Sequence, residues 1–150
     1  MSARMKVACG CHAAAYLLFA VFAAIYLLRP QFMPYHAVAL GMRWEEVGRP
    51  LQVLILGLMR VVGGGLLAAA FIGAVLLLWP FRQGARWARW AIVVQGLIVG
   101  FTSLWGTLSV QLNTRARSPW LAAAVAVLLL LAGGVLSIGP APASPEQATR

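Results

Sequence analysis

The stretch WLAAAVAVLLLLAGGVLSI, residues 120–138, contains 19 residues and no charged side chain. A helix needs about 20 predominantly apolar residues to cross a hydrocarbon core of about 30 Å, so this stretch is long enough to span a membrane. A helix is the expected form, because a bilayer offers no water to an open backbone and the stretch lacks the alternation of a barrel strand. The sequence therefore predicts a membrane-spanning helix here.

Three stretches upstream have the same character. They cover residues 7–28, 51–79 and 91–112, and Arg60 in the second is the only charge among them. Tryptophans flank the proposed helix ends, as expected for an amphipathic ring at a membrane interface. These are Trp44, Trp79, Trp87, Trp90 and Trp120. We therefore predict an all-α integral membrane four-helix bundle, with one domain over residues 1–139 and a disordered tail over 140–150.

Composition supports a membrane protein and argues against a nucleic-acid-binding one. The 150 residues are 62% hydrophobic and 10% charged, whereas a soluble domain is about 25% charged. The net charge of +9 comes from cations held in short segments between apolar runs, where they meet anionic lipid headgroups. The bilayer is thus the predicted partner, and the richness in Arg, Ala, Leu and Gly suggests a bacterial inner membrane.

The topology is only weakly indicated by charge. If the N-terminus is inside, the inner side carries six cations and the outer side five. Three arginines concentrated in the loop 80–90 favour two cytoplasmic termini. The connection 29–50 is the longest, and a short helix opened by Pro34 and closed by Gly41 is expected there, with an ion pair between Glu45 and Arg49.

Arg60 is the most informative single residue, because it has apolar helix on both sides and a charge inside a membrane is expensive. One interpretation is structural: its side chain reaches the headgroups or pairs with Glu45 or Glu46. The other is functional: Arg60 attracts an anion, and the glycines that follow let backbone or a ligand approach closely. These glycines are Gly63, Gly64 and Gly65.

Small and polar residues follow helical spacing in the second and third spans. One face of the third span carries Gly96, Gly100, Ser103 and Thr107; a neighbouring face carries Gln95, Thr102, Gly106 and Ser109; the second span repeats Gly65, Ala69 and Gly73. Close helix packing is the favoured interpretation. The alternative is a water-lined ligand or ion pathway that runs from Arg60 past Gln95, Thr102 and Ser109.

Metal and catalytic motifs are weak. Cys9, Cys11 and His12 could hold a soft metal ion, but a second ligand pair is missing, so no metal site or cofactor is predicted. The same holds for Met33, His36 and Met42 in the long loop. No acid lies in a span, and the sequence contains no paired catalytic carboxylates and no nucleotide-binding loop.

An enzyme is therefore not expected. The sequence favours a small accessory or scaffold protein that packs with itself or with a larger membrane complex. The alternative function is a homo-oligomeric transporter or channel with an anion-favouring pathway near Arg60.

Overall fold

A computed structural model describes residues 2–138 and shows an all-helical protein over that range. Its helices are α1 (Ala3–Leu28), α2 (Pro34–Leu40), α3 (Arg49–Leu76), α4 (Arg86–Asn113) and α5 (Trp120–Ile138). All except α2 are long and apolar enough to cross a membrane. The predicted four-helix, multi-pass membrane architecture is confirmed, with helix ends within a few residues of the predicted bounds. The tail 140–150 lies outside the described residues.

The connection between α1 and α3 folds back onto α3. Helix α2 begins at Pro34 and ends before Gly41, whose φ of 67° is the left-handed conformation that glycine adopts without strain, so both predicted ends are confirmed. A 3₁₀ turn follows at Trp44–Glu46. Phe32 and Val47 are buried against Met59 of α3. The connection is thereby fixed over the first turns of α3.

The predicted pair between Glu45 and Arg49 does not form. The backbone is extended at Val47, directly after the 3₁₀ turn, so the two residues do not share a helix face. Instead the Glu46 carboxylate accepts hydrogen bonds from the Arg43 backbone N–H at 2.8 Å and from its guanidinium at 2.9 Å. The Arg43 backbone N–H, followed by the guanidinium, lowers the pKa of this exposed carboxyl.

Between α3 and α4 the chain turns tightly. Helix α3 runs on through a π-helical turn, Leu77–Phe81, that contains Pro80, and Gly84 then adopts a φ of 82° before α4 starts. Proline has no N–H to continue the hydrogen-bond ladder, which is consistent with the end of the helix here. The predicted basic hairpin at 80–90 is therefore a short turn between two long helices.

The helices form a ring in the order α3, α1, α5, α4. Helix α1 packs extensively on α3 and on α5, and α5 also packs on α4, whereas α3 and α4 touch much less. The ring therefore has one weak seam, between α3 and α4. The two halves of the bundle along its axis differ strongly at this seam.

We call the half that carries the start of α1 and the end of α5 the closed half. It comprises residues 3–16, 69–81, 86–100 and 127–138. The opposite half, with residues 17–28, 49–68, 101–113 and 120–126 and with α2 above it, is the open half.

Glycines bring the helices of the closed half together. A Cβ atom placed on Gly73 would lie 2.5 Å from the Tyr16 ring, and one on Gly96 would lie 2.6 Å from Leu130. One on Gly133 would lie 2.7 Å from the His12 ring. Lipid is as apolar as leucine, so close packing of this kind is a main source of helix association in membranes. The predicted packing role of Gly73, Gly96 and Gly100 is confirmed.

Candidate functional site

The open half encloses an apolar cavity of about 630 Å³ that is partly open to its surroundings. Ligand-binding pockets in proteins span roughly 300–1,000 Å³, so the space is large enough for a small organic molecule. Every long helix and α2 contribute to its wall. The lining residues are Leu18, Phe19, Phe22, Tyr26, Tyr35, His36, Ala39, Leu40, Ile55, Leu58, Met59, Val62, Leu66, Thr102, Ser103, Gly106, Thr107, Val110, Pro119, Ala122, Ala123 and Ala126.

The cavity lies at the weak seam. Its α3 wall covers residues 55–66 and its α4 wall residues 102–110, while α1 and α5 form the back. Along α1 it extends from Leu18 to Tyr26, a rise of about 12 Å at 1.5 Å per residue. It therefore occupies about one leaflet of a bilayer, with its deep end near the middle of the membrane.

A polar cluster closes the deep end. The Tyr16 hydroxyl lies 2.7 Å from the Ile92 carbonyl oxygen and 2.6 Å from Gln95 Oε1, and it donates its single proton to one of them at a time. The Gln95 amide in turn donates to the Ala69 carbonyl oxygen at 3.4 Å. Tyr16 thereby ties α1 to α4, and Gln95 ties α4 to α3. The seam between α3 and α4 is therefore closed from this cluster toward the closed end of the bundle.

The mouth of the cavity is formed by polar groups of α1 and α2. The hydroxyls of Tyr26 and Tyr35 share a short hydrogen bond, and His36 follows on the same helix. Burial, and then the bond to Tyr26, raises the pKa of Tyr35, so its hydroxyl stays protonated. Burial lowers the pKa of His36, so its imidazole is neutral at pH 7. The mouth is polar but carries no formal charge.

Arg60 does not face the cavity. Its side chain is exposed, on the outside of α3. Gly63, one turn along, packs against Leu27 and Tyr26, so the antiparallel register places Arg60 level with the end of α1. This position is near the membrane surface and favours the interpretation in which the guanidinium reaches the headgroups.

The two proposed acidic partners of Arg60 are also exposed, and Glu46 bonds Arg43 rather than Arg60. Gly64 and Gly65 have open space around them on the outer face, in contrast to Gly63. The structure therefore does not bring Arg60, these two glycines and the acids together into a site. Among the proposed small-residue positions of α3, Ala69 and Gly73 are buried and Gly65 is not.

The polar residues of α4 have three different roles. Thr102 lines the cavity, Gln95 lies in the polar cluster beneath it, and Ser109 is half-buried outside the lining. One face of α4 runs from the packed region into the cavity wall. On this face Gly96 and Gly100 pack on α5, whereas Ser103 and Thr107 line the cavity. The predicted pathway residues therefore do not form one continuous polar path.

The cysteines do not form a metal site with His12. Cys9 and Cys11 are two positions apart on α1, and side chains with that spacing do not face each other on a helix. His12 is fully buried against Phe81 and Gly133. Within residues 2–138 no cluster of three potential metal ligands is found. The soft-metal alternative is thus not supported.

Two arginines bind the end of α5. The Arg4 guanidinium donates to the Val135 carbonyl oxygen at 3.0 Å, and Arg89 donates to Ser137 at 3.3 Å and to Gly84 at 3.2 Å. Cations are favourable at a helix C-terminus, where carbonyl groups lack partners. These hydrogen bonds connect the starts of α1 and α4 to the end of α5 at the closed end of the bundle.

No family model, curated protein or solved structure matches the chain. The function must therefore be inferred from the cavity and its mouth. The sequence pattern grouped Ser103 and Thr107 with the packing glycines and placed Thr102 on the alternative pathway, whereas the structure places all three in the cavity wall. The pattern gave no sign that Tyr26 and Tyr35 meet, because they belong to different helices.

Proposed function

We propose that the protein is a non-catalytic accessory protein of the bacterial inner membrane that binds a lipophilic small molecule in the open-half cavity. The cavity supports this proposal: about 630 Å³ of mainly apolar space, beside a weak seam between membrane-spanning helices. A molecule dissolved in the bilayer reaches such a seam without crossing water. Packing with further copies or with a larger membrane complex is compatible with this role, because the partner protein would then use the bound molecule.

The polarity of the cavity is what favours a lipophile over an ion. Its lining consists mostly of Leu, Phe, Ala, Ile, Val and Met side chains, and none of the lining residues is charged at neutral pH. An ion taken out of water needs opposite charge or several hydrogen bonds around it. An apolar molecule needs only a shaped space. Binding of a lipophile therefore uses the cavity as it stands.

The orientation in the membrane follows from the same geometry. Arg4, Arg89 and the turn that contains Gly84 meet at the closed end, where the short connection 80–90 carries three arginines. The three arginines in this one short loop favour a cytoplasmic closed end under the positive-inside rule, and the cavity would then face the outer leaflet. We propose both termini on the cytoplasmic side, in agreement with the sequence-based expectation.

An anion-favouring transporter is the alternative function. Arg60 faces outward, so a pathway at this residue would need a second copy to enclose it. The exposed Gly57, Gly64 and Gly65 on the same helix leave room for such a copy. An anion-flux assay in vesicles separates the two cases, because the lipophile-binding role predicts no flux that depends on Arg60.

A cavity-filling substitution tests the proposed function. Ala123 lines the cavity on α5, so Ala123→Phe places a ring in the space that the ligand would occupy. Ala132→Phe on the exposed face of α5 is the matched control. The full chain and both variants are purified in mild detergent, and the bound lipophiles are extracted and measured by mass spectrometry.

We expect a distinct lipophile to accompany the wild type and Ala132→Phe at about one per chain, and to be lost from Ala123→Phe. The proposal is wrong if all three proteins carry the same mixture of bulk lipids. Circular dichroism of each sample shows whether the bundle remains folded.

A further inference from the structure

The mouth of the cavity offers hydrogen-bond donors. The two hydroxyls of Tyr26 and Tyr35 together carry two protons, and the bond between them uses one. Neither hydroxyl has another hydrogen-bond partner within residues 2–138. One tyrosine proton is therefore available to a ligand, and both residues line the cavity.

His36 supplies a second donor. Its Nδ1 accepts a hydrogen bond from the Met33 backbone N–H at 3.3 Å. A neutral imidazole with an accepting Nδ1 carries its proton on Nε2, which then acts as a donor. His36 lines the cavity beside Tyr35, and the two rings are 4.2 Å apart between centroids. Two donors are thus grouped at the mouth.

The deeper wall offers no comparable donor from its threonines. Thr102 donates to the Ile98 carbonyl oxygen and Thr107 to that of Ser103, each at 2.8 Å, so their protons are used within α4. Apart from the Ser103 hydroxyl, the surrounding side chains are apolar, with Leu66 and Ala126 at the deep end. The cavity is therefore amphipathic: neutral donors lie at the membrane surface, and apolar walls lie below.

This pattern identifies the class of ligand. We propose that the cavity binds a neutral amphiphile with a carbonyl oxygen in its head, which accepts hydrogen bonds from the Tyr26–Tyr35 pair and His36 while its apolar body extends toward Leu66. The inference rests on the proposed function. Both lipid-soluble quinones and acyl esters of glycerol have this chemistry, with neutral carbonyl acceptors joined to long apolar chains.

The head and body fit the two regions separately. A carbonyl oxygen has lone pairs and no proton, so it matches donors that have no other acceptor. Burial without such partners would be costly for the carbonyl and for the donors alike. A carboxylate head is less well matched, because no cation lines the mouth. The direction of binding also agrees with that of a lipid in one leaflet, with its head at the surface.

Ligand binding to tyrosine variants tests the inference. The probes are a benzoquinone with a ten-carbon tail, dioleoylglycerol, and a straight-chain alkane with the same tail length as the quinone. Each is titrated into the full chain in detergent micelles. The double variant Tyr26→Phe with Tyr35→Phe keeps the shape of the mouth and removes both hydroxyls. Ser109→Ala is the control, because it removes a hydroxyl of α4 that lies outside the cavity lining.

We expect the carbonyl probe that fits the cavity to bind about tenfold more weakly to the double variant, as expected for loss of one buried hydrogen bond. The alkane should bind equally to the wild type and to both variants, and Ser109→Ala should leave all affinities unchanged. Whichever of the quinone and the diacylglycerol binds more tightly shows which of these two classes of ligand the protein prefers.

The outcomes separate this inference from the proposed function. If carbonyl and alkane probes bind alike to all these proteins, the ligand class is wrong, while the role as a lipophile-binding protein stands. If no probe binds even to the wild type, or if Ala123→Phe leaves binding intact, the proposed function fails as well.

An infrared measurement covers the case in which the double variant does not fold. A carbonyl that accepts hydrogen bonds absorbs at lower frequency than the same carbonyl in hydrocarbon. With an isotope-labelled carbonyl probe on the wild type, we expect a shift to lower frequency relative to protein-free micelles. An unshifted band in the bound state overturns the inference.

Discussion

The closed and open halves are built from the same helices but differ in how those helices meet. In the closed half, Gly73 and Gly133 let the rings of Tyr16 and His12 rest directly on backbone. In the open half, α4 carries Ser103, Gly106 and Thr107 at the seam, and the space beside them is not filled by α3. Small residues therefore give tight packing only where a large side chain from a neighbour enters the gap; otherwise they leave a cavity.

The largest expected effect comes from a single methyl group in the closed half. Gly73→Ala would place its Cβ atom 2.5 Å from the Tyr16 ring, so the ring or the helix has to move. Overpacking of this kind costs about 1–3 kcal/mol. Unfolding in detergent, followed by circular dichroism, measures the loss.

Gly64→Ala is the control for this prediction, because nothing lies within 4 Å of the new methyl group. Alanine also favours a helix by up to about 1 kcal/mol over glycine. The two variants should therefore change stability in opposite directions. Equal stability would contradict the distinction between the halves.

The second-largest loss of stability is expected from a change in the polar cluster. Tyr16→Phe removes the hydroxyl that joins α1 to α4 and leaves Gln95 without that partner, at a cost of about 1 kcal/mol. Tyr26→Phe removes a hydroxyl beside a partly open cavity, where water can replace the lost partner of Tyr35, so we expect a smaller loss. A larger loss for Tyr26→Phe in the same unfolding experiment would contradict the assignment of the tighter packing to the closed half.

A weaker effect is expected from acidification. Burial lowers the pKa of His36 below its ordinary value of 6.5, so the packed α2 favours the neutral ring. A detached α2 takes up the proton first, and packing therefore weakens as the pH falls below 6.5 toward the lowered pKa. Above pH 6.5 this destabilisation is absent.

Hydrogen exchange of α2 amides at pH 7.5 and 5.5, corrected for intrinsic rates, measures this change. We expect faster corrected exchange at pH 5.5 in the wild type and no such change in His36→Gln. The closed half serves as the internal reference. Acceleration in both proteins would assign the effect to another group.

Arg60→Gln should have the smallest effect. The side chain lies on the outer face of α3 and contacts neither the cavity nor Glu46. The free energy of unfolding should therefore change by less than about 0.5 kcal/mol, and the amount of bound ligand should not change measurably. A vesicle flux assay on the same variant addresses the alternative function. Anion flux in the wild type that Arg60→Gln abolishes would establish the transport pathway.

The sequence predicted the helices well because membrane insertion is a local property of composition. The apolar run from Trp120 to Ile138 and the turn signals Pro34 and Gly41 each act within their own segment. The spacing of the glycines in α3 and α4 also predicted that these helices pack closely against their neighbours. These features need no knowledge of neighbours.

The cavity was not predictable in the same way. The stripe from Gly96 to Thr107 has one continuous spacing, yet its first half meets Leu130 and Val127 and its second half meets empty space. That difference depends on which side chains α5 and α3 present opposite it. The contact between Tyr26 and Tyr35 likewise requires the connection 29–50 to fold back, which no local pattern shows.

The ring order has a consequence for how the chain is made. Helix α5 is synthesised after the other four helices, yet it packs against α1 and α4, and its end binds Arg4, 131 residues earlier. Until α5 leaves the ribosome and enters the bilayer, α1 and α4 each keep a face without its native partner. Helices α1 and α3 can pack together before that, but α4 has only the weak seam with α3, so we expect a chain stopped before residue 120 to insert α4 without fixing it to the other helices.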